Sequence, residues 1–377
     1  MPTKINLSLP RQWNACTTQQ LELIADVMRE QIERTDRYHP FSMQNVKIAL
    51  FFALAGLEIT EGPNPRIPVE EQYYTCRFAT KRKWYHSFYL PWEGRGGDSF
   101  SIYLWQINYW LTPKADQRIK GKDTPEALTA GAGILDWLTN ESNSYLTRFP
   151  YGTIKRRKNS SFFILHSSSF KGPLPDLEGF SWAQYRLASE AMQAYVKLSN
   201  SLERMKQINQ SPSLGRAGGG ASVGTFSDAQ MLSQSKSVDM ARAMFLATIF
   251  ITKTKFVDTN TGIIKYDYHY ESNQITDNAQ YFRNFPDTQW QVILFWWTGI
   301  MHSLSKRYPH VFKVQKVERK QEQKSPLDIY SATIATMQKY VGLDENQCNN
   351  QSYSLVLEQL ERMSRENEEL ERIRKKK

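Results

Sequence analysis

Cysteine is scarce in this chain, with three in 377 residues at Cys16, Cys76 and Cys348. They are odd in number and widely separated, which excludes a disulfide framework and a metal quartet and leaves thiols in a reducing compartment. Long apolar runs are also lacking. The greasiest stretch, VILFWWTGIM at 292–301, is about half of the roughly 20 residues a helix needs to span a bilayer. The opening MPTKINLSLPRQW has neither the apolar core nor the cleavage site of a signal peptide. The expectation is a cytoplasmic protein, free or associated with a virion or other particle, and no membrane partner. Acid is the minority charge: 48 Lys and Arg against 38 Asp and Glu give a net charge of +10. That balance favours acidic partners without naming one.

Aromatic residues, by contrast, make up 13% of the chain, enough for a sizeable core and too many for wholesale disorder. The first helix is expected to open at Thr17 or Thr18, which can cap its free amides, with Leu21, Ile24, Ala25 and Met28 at helical spacing. Pro40 stops the chain, Ser42 offers a second cap, and MQNVKIALFFALAGL reads as a buried helix ending near Gly56. Between 61 and 111, prolines and an imperfect alternation of β-formers predict two or three short strands, while FSIYLWQINYWL at 100–111 suits strand or helix. Helix is expected again from Pro125 to Leu138, strand in SSFFILHSSSF, and amphipathic helix over 181–207.

The Gly- and Ser-rich run SPSLGRAGGGASVGTFSD cannot offset the entropy of ordering by burial, so it reads as a linker or loop. Its glycines match neither phosphate-binding pattern, GxxxxGK[ST] or GxGxxG. Beyond it, helices are predicted at 240–251, 286–308, from Pro326 to Tyr340, and over 352–374, with IIKYDYHYE strand-like or irregular. The expected fold is mainly α with a smaller aromatic-rich β portion, an α+β class with helical N- and C-terminal regions. The working division is a first domain at 1–210, a linker at 211–227 and a helical domain at 228–377.

Candidate chemistry is thin. The six histidines form no HExxH and no i, i+4 pair; His269 and Glu271 share a strand face, which needs distant help to hold a metal. His302 and His310 suit hydrogen bonding at a helix C-terminus. Cys16 at a helix start is better read as a buried thiol than as a nucleophile. No acidic pair is singled out for acid–base work. No catalytic, cofactor-binding or metal-ligating residue is assigned, and an enzyme here would need a site built from distant segments.

Two sets of residues stand out instead. Arg77, Lys81, Arg82 and Lys83 lie beside Trp84 and other rings, and Lys155, Arg156, Arg157 and Lys158 form a basic run; cations beside stacking platforms suit single-stranded nucleic acid. In the last helix, Val356, Leu360, Met363, Asn367 and Leu370 recur at 4-3-4-3 spacing, the pattern of a short helix–helix seam in which Asn367 would trade stability for register. That seam serves a partner, a second copy or the chain's own body.

The segments LPRQWNACTTQQLELIADVM and SMQNVKIALFFALAGL resemble the opening of proteins encoded by phages and prophages of Bacteroides-type bacteria. The tail, KSPLDIYSATIATMQKYVGLDENQCNNQSYSLVLEQLERMSRE, is similar to phage tail-assembly chaperones in placing a Pro-Leu and helix before a closing polar helix. The resemblance covers about a quarter of the chain. It implies a helical assembly factor that holds a tail-tube or tape-measure protein, with no cofactor and no catalytic residue to carry over. Size, net charge and the aromatic middle depart from that pattern and suit equally a structural component or a nucleic-acid-binding protein of a mobile element. The expectation is a non-catalytic assembly or structural interaction protein with a protein partner or self-association; the alternatives are single-stranded nucleic-acid binding and an enzyme.

Overall fold

The computed structural model describes residues 9–33, 41–78, 99–111, 135–138, 145–157, 167–210, 226–258, 261–312 and 326–376. They form a predominantly helical α+β protein with two small antiparallel sheets. The chain divides into two compact units: Met1–Leu146 with Asp287–Gly299, and Thr147–Pro286 with Ile300–Lys377. The boundary expected at 211–227 falls inside the second unit, where the helices on either side of the glycine-rich run pack against each other.

In the first unit, α1 (Thr18–Glu33) begins at a reciprocal cap. The Thr17 hydroxyl accepts from the Gln20 amide, and the Thr17 amide donates to the Gln20 side chain. Helix α2 (Met43–Ala55) is capped by Ser42 and closed by Gly56 at φ 67°, a left-handed position that costs glycine nothing. Strands β1 (Leu57–Glu61), β2 (Tyr73–Phe78) and β3 (Phe100–Tyr103) make an antiparallel sheet in the order β1-β2-β3. The ambiguous run at 100–111 is both things in turn, since α3 (Leu104–Leu111) follows β3 directly. Phe51 stacks on Trp110 of α3 with centroids 5.6 Å apart, and Phe52 meets Tyr74 of β2 at 4.9 Å, so aromatic contacts join α2 both to α3 and to the sheet.

In the second unit, β4 (Thr153–Arg157), β5 (Ser167–Lys171), β6 (Ile251–Val257) and β7 (Ile264–Tyr268) form an antiparallel sheet in that order. Two long helices, α4 (Trp182–Gln210) and α5 (Asp228–Ile249), stand between β5 and β6 in sequence. The short α6 (Ile275–Ala279) leads to α7 (Asp287–Arg307), whose residues from Ile300 onward belong here and whose earlier residues, with buried Trp290 and Trp296, belong to the first unit. Helices α8 (Pro326–Val341), α9 (Glu345–Asn350) and α10 (Tyr353–Lys376) complete it. The expected helix at 240–251 starts earlier, at a capping box made by Ser227 and Gln230, and stops at Ile249 because the β-branched alternation ITKTKFV takes over as β6. The helix expected from Pro125 lies outside the described residues except for a 3-10 turn at Asp136–Leu138. Among the described residues, no helix is long and apolar enough to cross a membrane.

The start of α10 is tied to the start of α4. Tyr353 stacks on Tyr185 at 5.4 Å, its amide donates to the Phe180 carbonyl, and its hydroxyl donates to the Asp176 carbonyl. Burial pushes both phenols up from about 10 to about 12. Because the folded values lie above the unfolded ones, the contribution is complete below pH 10 and is lost as pH rises toward 12. The expected outcome is alkaline destabilisation of roughly 2–3 kcal/mol per ring, read by following tyrosinate absorbance alongside circular dichroism. Tyr185→Phe combined with Tyr353→Phe keeps the stack and should lessen the loss of stability across that range; an unchanged alkaline transition in the double variant would show that these rings do not drive it.

Candidate functional site

Helices α4 and α5 form an antiparallel hairpin. At its root, Trp182, Tyr185, Ala188 and Met192 of α4 and Phe245, Leu246 and Ile249 of α5 are buried. From 193 to 209 and from 226 to 240 no residue is buried, so that half is an arm about 25 Å long at 1.5 Å per residue. Its seam recurs at helical spacing and is half-buried: Tyr195, Leu198, Leu202 and Met205 on α4, Met231, Gln234 and Val238 on α5. Three amide side chains fix the register. The Gln184 amide donates to the Thr248 carbonyl at 2.9 Å, and Gln234 to that of Leu198 at 3.0 Å. Near the tip, Asn209 both donates to and accepts from the Phe226 backbone, at 3.0 and 2.8 Å.

Each helix turns a further apolar residue outward. Val196 is 47% exposed and Leu232 is 57% exposed. Each lies one residue past a seam position, Tyr195 and Met231. In an antiparallel pair, equal rotations from the two seams lead to the same side, so both residues occupy one flank of the arm. Met240 is exposed nearer the root. The sequence pattern marks α4 as amphipathic but does not disclose these residues, because the polar start of α5 hides its seam.

The seam read in the last helix divides in two. Val356 and Met363 are buried and Leu360 is half-buried, whereas Asn367 and Leu370 are exposed. Carboxylates explain where the packing stops. Glu358 pairs with Arg307 at 3.3 Å, Glu361 accepts from the amides of His310 and Val311 at 2.9 and 3.0 Å, and Glu368 reaches His310 Nδ1 at 3.3 Å. Beyond Glu368, Leu370 and Ile373 are more than half exposed. The first three seam residues thus serve the chain's own body, and an external role is confined to the far end.

Of the basic candidates, Arg77 faces Glu58 across β1 and β2 and pairs with it at 2.9 Å, a cross-strand contact that occupies its charge. Lys81, Arg82, Lys83 and Trp84 lie outside the described residues, as does Lys158. Lys155 and Arg157 are exposed on β4. Arg156 turns the other way: it donates to the carbonyls of Asn284 and Tyr281 and lies 4.9 Å over the Phe285 ring. Burial, with Arg242 nearby, lowers its pKa. Arg156 is thereby withdrawn from the basic run.

All three cysteines are buried and no disulfide joins them. Burial pushes the Cys76 thiol up to about 11 and raises Cys348 as well, which disfavours the thiolate at both. His269 stacks on Phe256 at 4.2 Å, and Glu271 accepts from Gln274 at 2.7 Å. No cluster of three metal-ligating side chains occurs among the described residues. The letters GASVG at 220–224 match the spacing of a serine nucleophile elbow, a motif not singled out above. They lie outside the described residues; the described element before them is helix α4, whereas an elbow follows a strand.

No family model, curated protein or solved structure matches this chain.

The two halves of the last helix should respond differently to substitution. Met363→Ala, at a buried position, is expected to cost about 2–4 kcal/mol in denaturant unfolding. Leu370→Ser with Ile373→Ser should stay within about 0.5 kcal/mol of the parent. Comparable losses from both would mean that the far end packs on the body.

Proposed function

We propose that the chain is a non-catalytic assembly factor that holds a protein partner, and that the α4–α5 arm is where it does so. The observation that carries this reading is the exposed flank of the arm, with Val196 and Leu232 on helices whose facing sides are already paired. A two-helix arm covers one seam and leaves its flanks to water. An amphipathic helix from a client, laid along that flank, would make a three-helix bundle and bury both residues. The resemblance of the chain's tail to tail-assembly chaperones supports the same reading and suggests the kind of client, a tail-tube or tape-measure protein awaiting incorporation.

The experiment is affinity capture of the full chain from its source cells after nuclease treatment, compared with Val196→Ser combined with Leu232→Ser. A photo-reactive residue at position 200, on the arm, then reports what lies there. One client, cross-linked at that position and recovered despite nuclease, is the expected result. Burying two aliphatic side chains stabilises a complex by roughly 2–3 kcal/mol when partly covered, so the double variant should weaken capture at least about tenfold. Its helical circular dichroism should be unchanged. Equal recovery by the double variant, or recovery that nuclease abolishes, would overturn the reading.

A further inference from the structure

We propose that the outward face of the β4–β7 sheet is a binding platform for single-stranded nucleic acid. This inference does not rest on the assembly reading, since it concerns different residues.

The face follows from strand alternation. Phe170 is fully buried on β5, and its neighbours in register, Ile154 on β4 and Thr252 on β6, share its side. The residues between them therefore point outward: Lys155 and Arg157 on β4, Lys171 on β5, Lys253 and Lys255 on β6. The register of β6 with β7 pairs Lys253 with Tyr268 and Lys255 with Tyr266, which sets both rings on the same outward side. A contact of 3.3 Å between the Ser169 and Tyr268 hydroxyls, and Lys171 and Lys253 at 5.8 and 5.4 Å from the Tyr268 ring, confirm that the strands share this face.

Its charge is of one sign. None of these five cations is ion-paired among the described residues, and four are exposed. Asp267, the acid of these four strands, alternates to the opposite side. Five cations on strands that carry no carboxylate on this side, among the described residues, repel one another in a way that a polyanion would relieve.

The rings decide which polyanion. Tyr266 is 65% exposed, an open ring on an edge strand whose neighbouring residues, Lys265 and Asp267, are exposed as well. Tyr268 is held edge and face by Lys171, Lys253 and Ser169, and so is preset in position. Cations at every second residue, about 6.7 Å apart along a strand, beside an uncovered ring, can hold phosphates while a base stacks. Only an unpaired strand offers its base faces to such a ring. The signal was legible in the alternation of ITKTKFV, once that segment is read as strand.

The test is fluorescence anisotropy of the native chain with a labelled oligothymidylate, a mixed-sequence RNA of the same length and the matching duplex, over a range of salt. Single strands should bind more tightly than duplex, with a salt slope of about −3 for four or five phosphates. Tyr266→Ala should weaken single-strand binding about tenfold, within the range for one stacked base. Neutralising Lys155, Arg157, Lys253 and Lys255 to Gln should flatten the slope, whereas Lys197, Arg204 and Lys236 to Gln, on the arm, should leave it unchanged. The substituted groups are exposed, so folding, followed by circular dichroism, is expected to survive. Binding that is unaffected by the sheet variant, equally weakened by the arm variant, or as tight to duplex with no effect of Tyr266→Ala would overturn the proposal.

Discussion

The second unit depends on a cluster of phenylalanines. Phe170 from β5 meets Phe282 at 4.9 Å, Phe282 stacks on Phe250 at 5.4 Å, and Phe149 closes on Phe250 at the same distance. Phe250 is the residue at which α5 ends and β6 begins. One buried contact therefore fixes both the root of the helical arm and the inner face of the sheet. Each fully buried ring contributes on the order of 2–3 kcal/mol, and the edge-to-face and stacked geometry adds to it. A strand whose inner residue is anchored in this way cannot turn over or slip by one position without exposing a ring. The outward cations are a consequence of that inward constraint.

The same rule explains why a contiguous basic run misleads. Four cations in succession look like one patch, but on a strand neighbours point apart, and Arg156 is spent on backbone carbonyls beneath the sheet. Lys253 and Lys255 carry no conspicuous run, yet their spacing of two keeps them together. Spacing, rather than density, decides what a sheet can present.

Local chemistry was the part of the fold most readable from the letters. Thr17 and Ser42 cap helices, Gly56 ends one, and the glycine there adopts the left-handed backbone that its place demands. What escaped were features set by distant partners. The polar start of α5 has no apolar stripe of its own because its cover is a single helix, so Met231 and Val238 are separated by Gln234 and Ser235. The glycine-rich run resembles a domain linker in composition, whereas α4 and α5 pair across it; composition reports the cost of ordering a segment and is silent about what it joins. The closing helix shows the same limit: its 4-3 spacing is real, but Glu358, Glu361 and Glu368, off the seam, decide where it docks.

The arm also shows why polar groups belong in its seam. An antiparallel pair of aliphatic seams can slide by a turn with little loss, since leucine and methionine accept many neighbours. An amide aimed at one backbone carbonyl cannot. Gln184, Gln234 and Asn209 are spaced from root to tip, and each fixes the pairing at its own level. Such bonds are worth about 1 kcal/mol each, less than the apolar side chains they replace, so the arm gives up stability to gain a fixed register. Equal rotation from the two seams places Val196 and Leu232 on one flank, and a fixed register sets their separation along it. If the helices slid by a turn, both residues would stay on that flank. Their spacing along it would change by about 5.4 Å, one turn, and a partner helix cut to the original spacing would no longer match both. The polar seam and the apolar flank are thus parts of one arrangement, the first giving the second its shape.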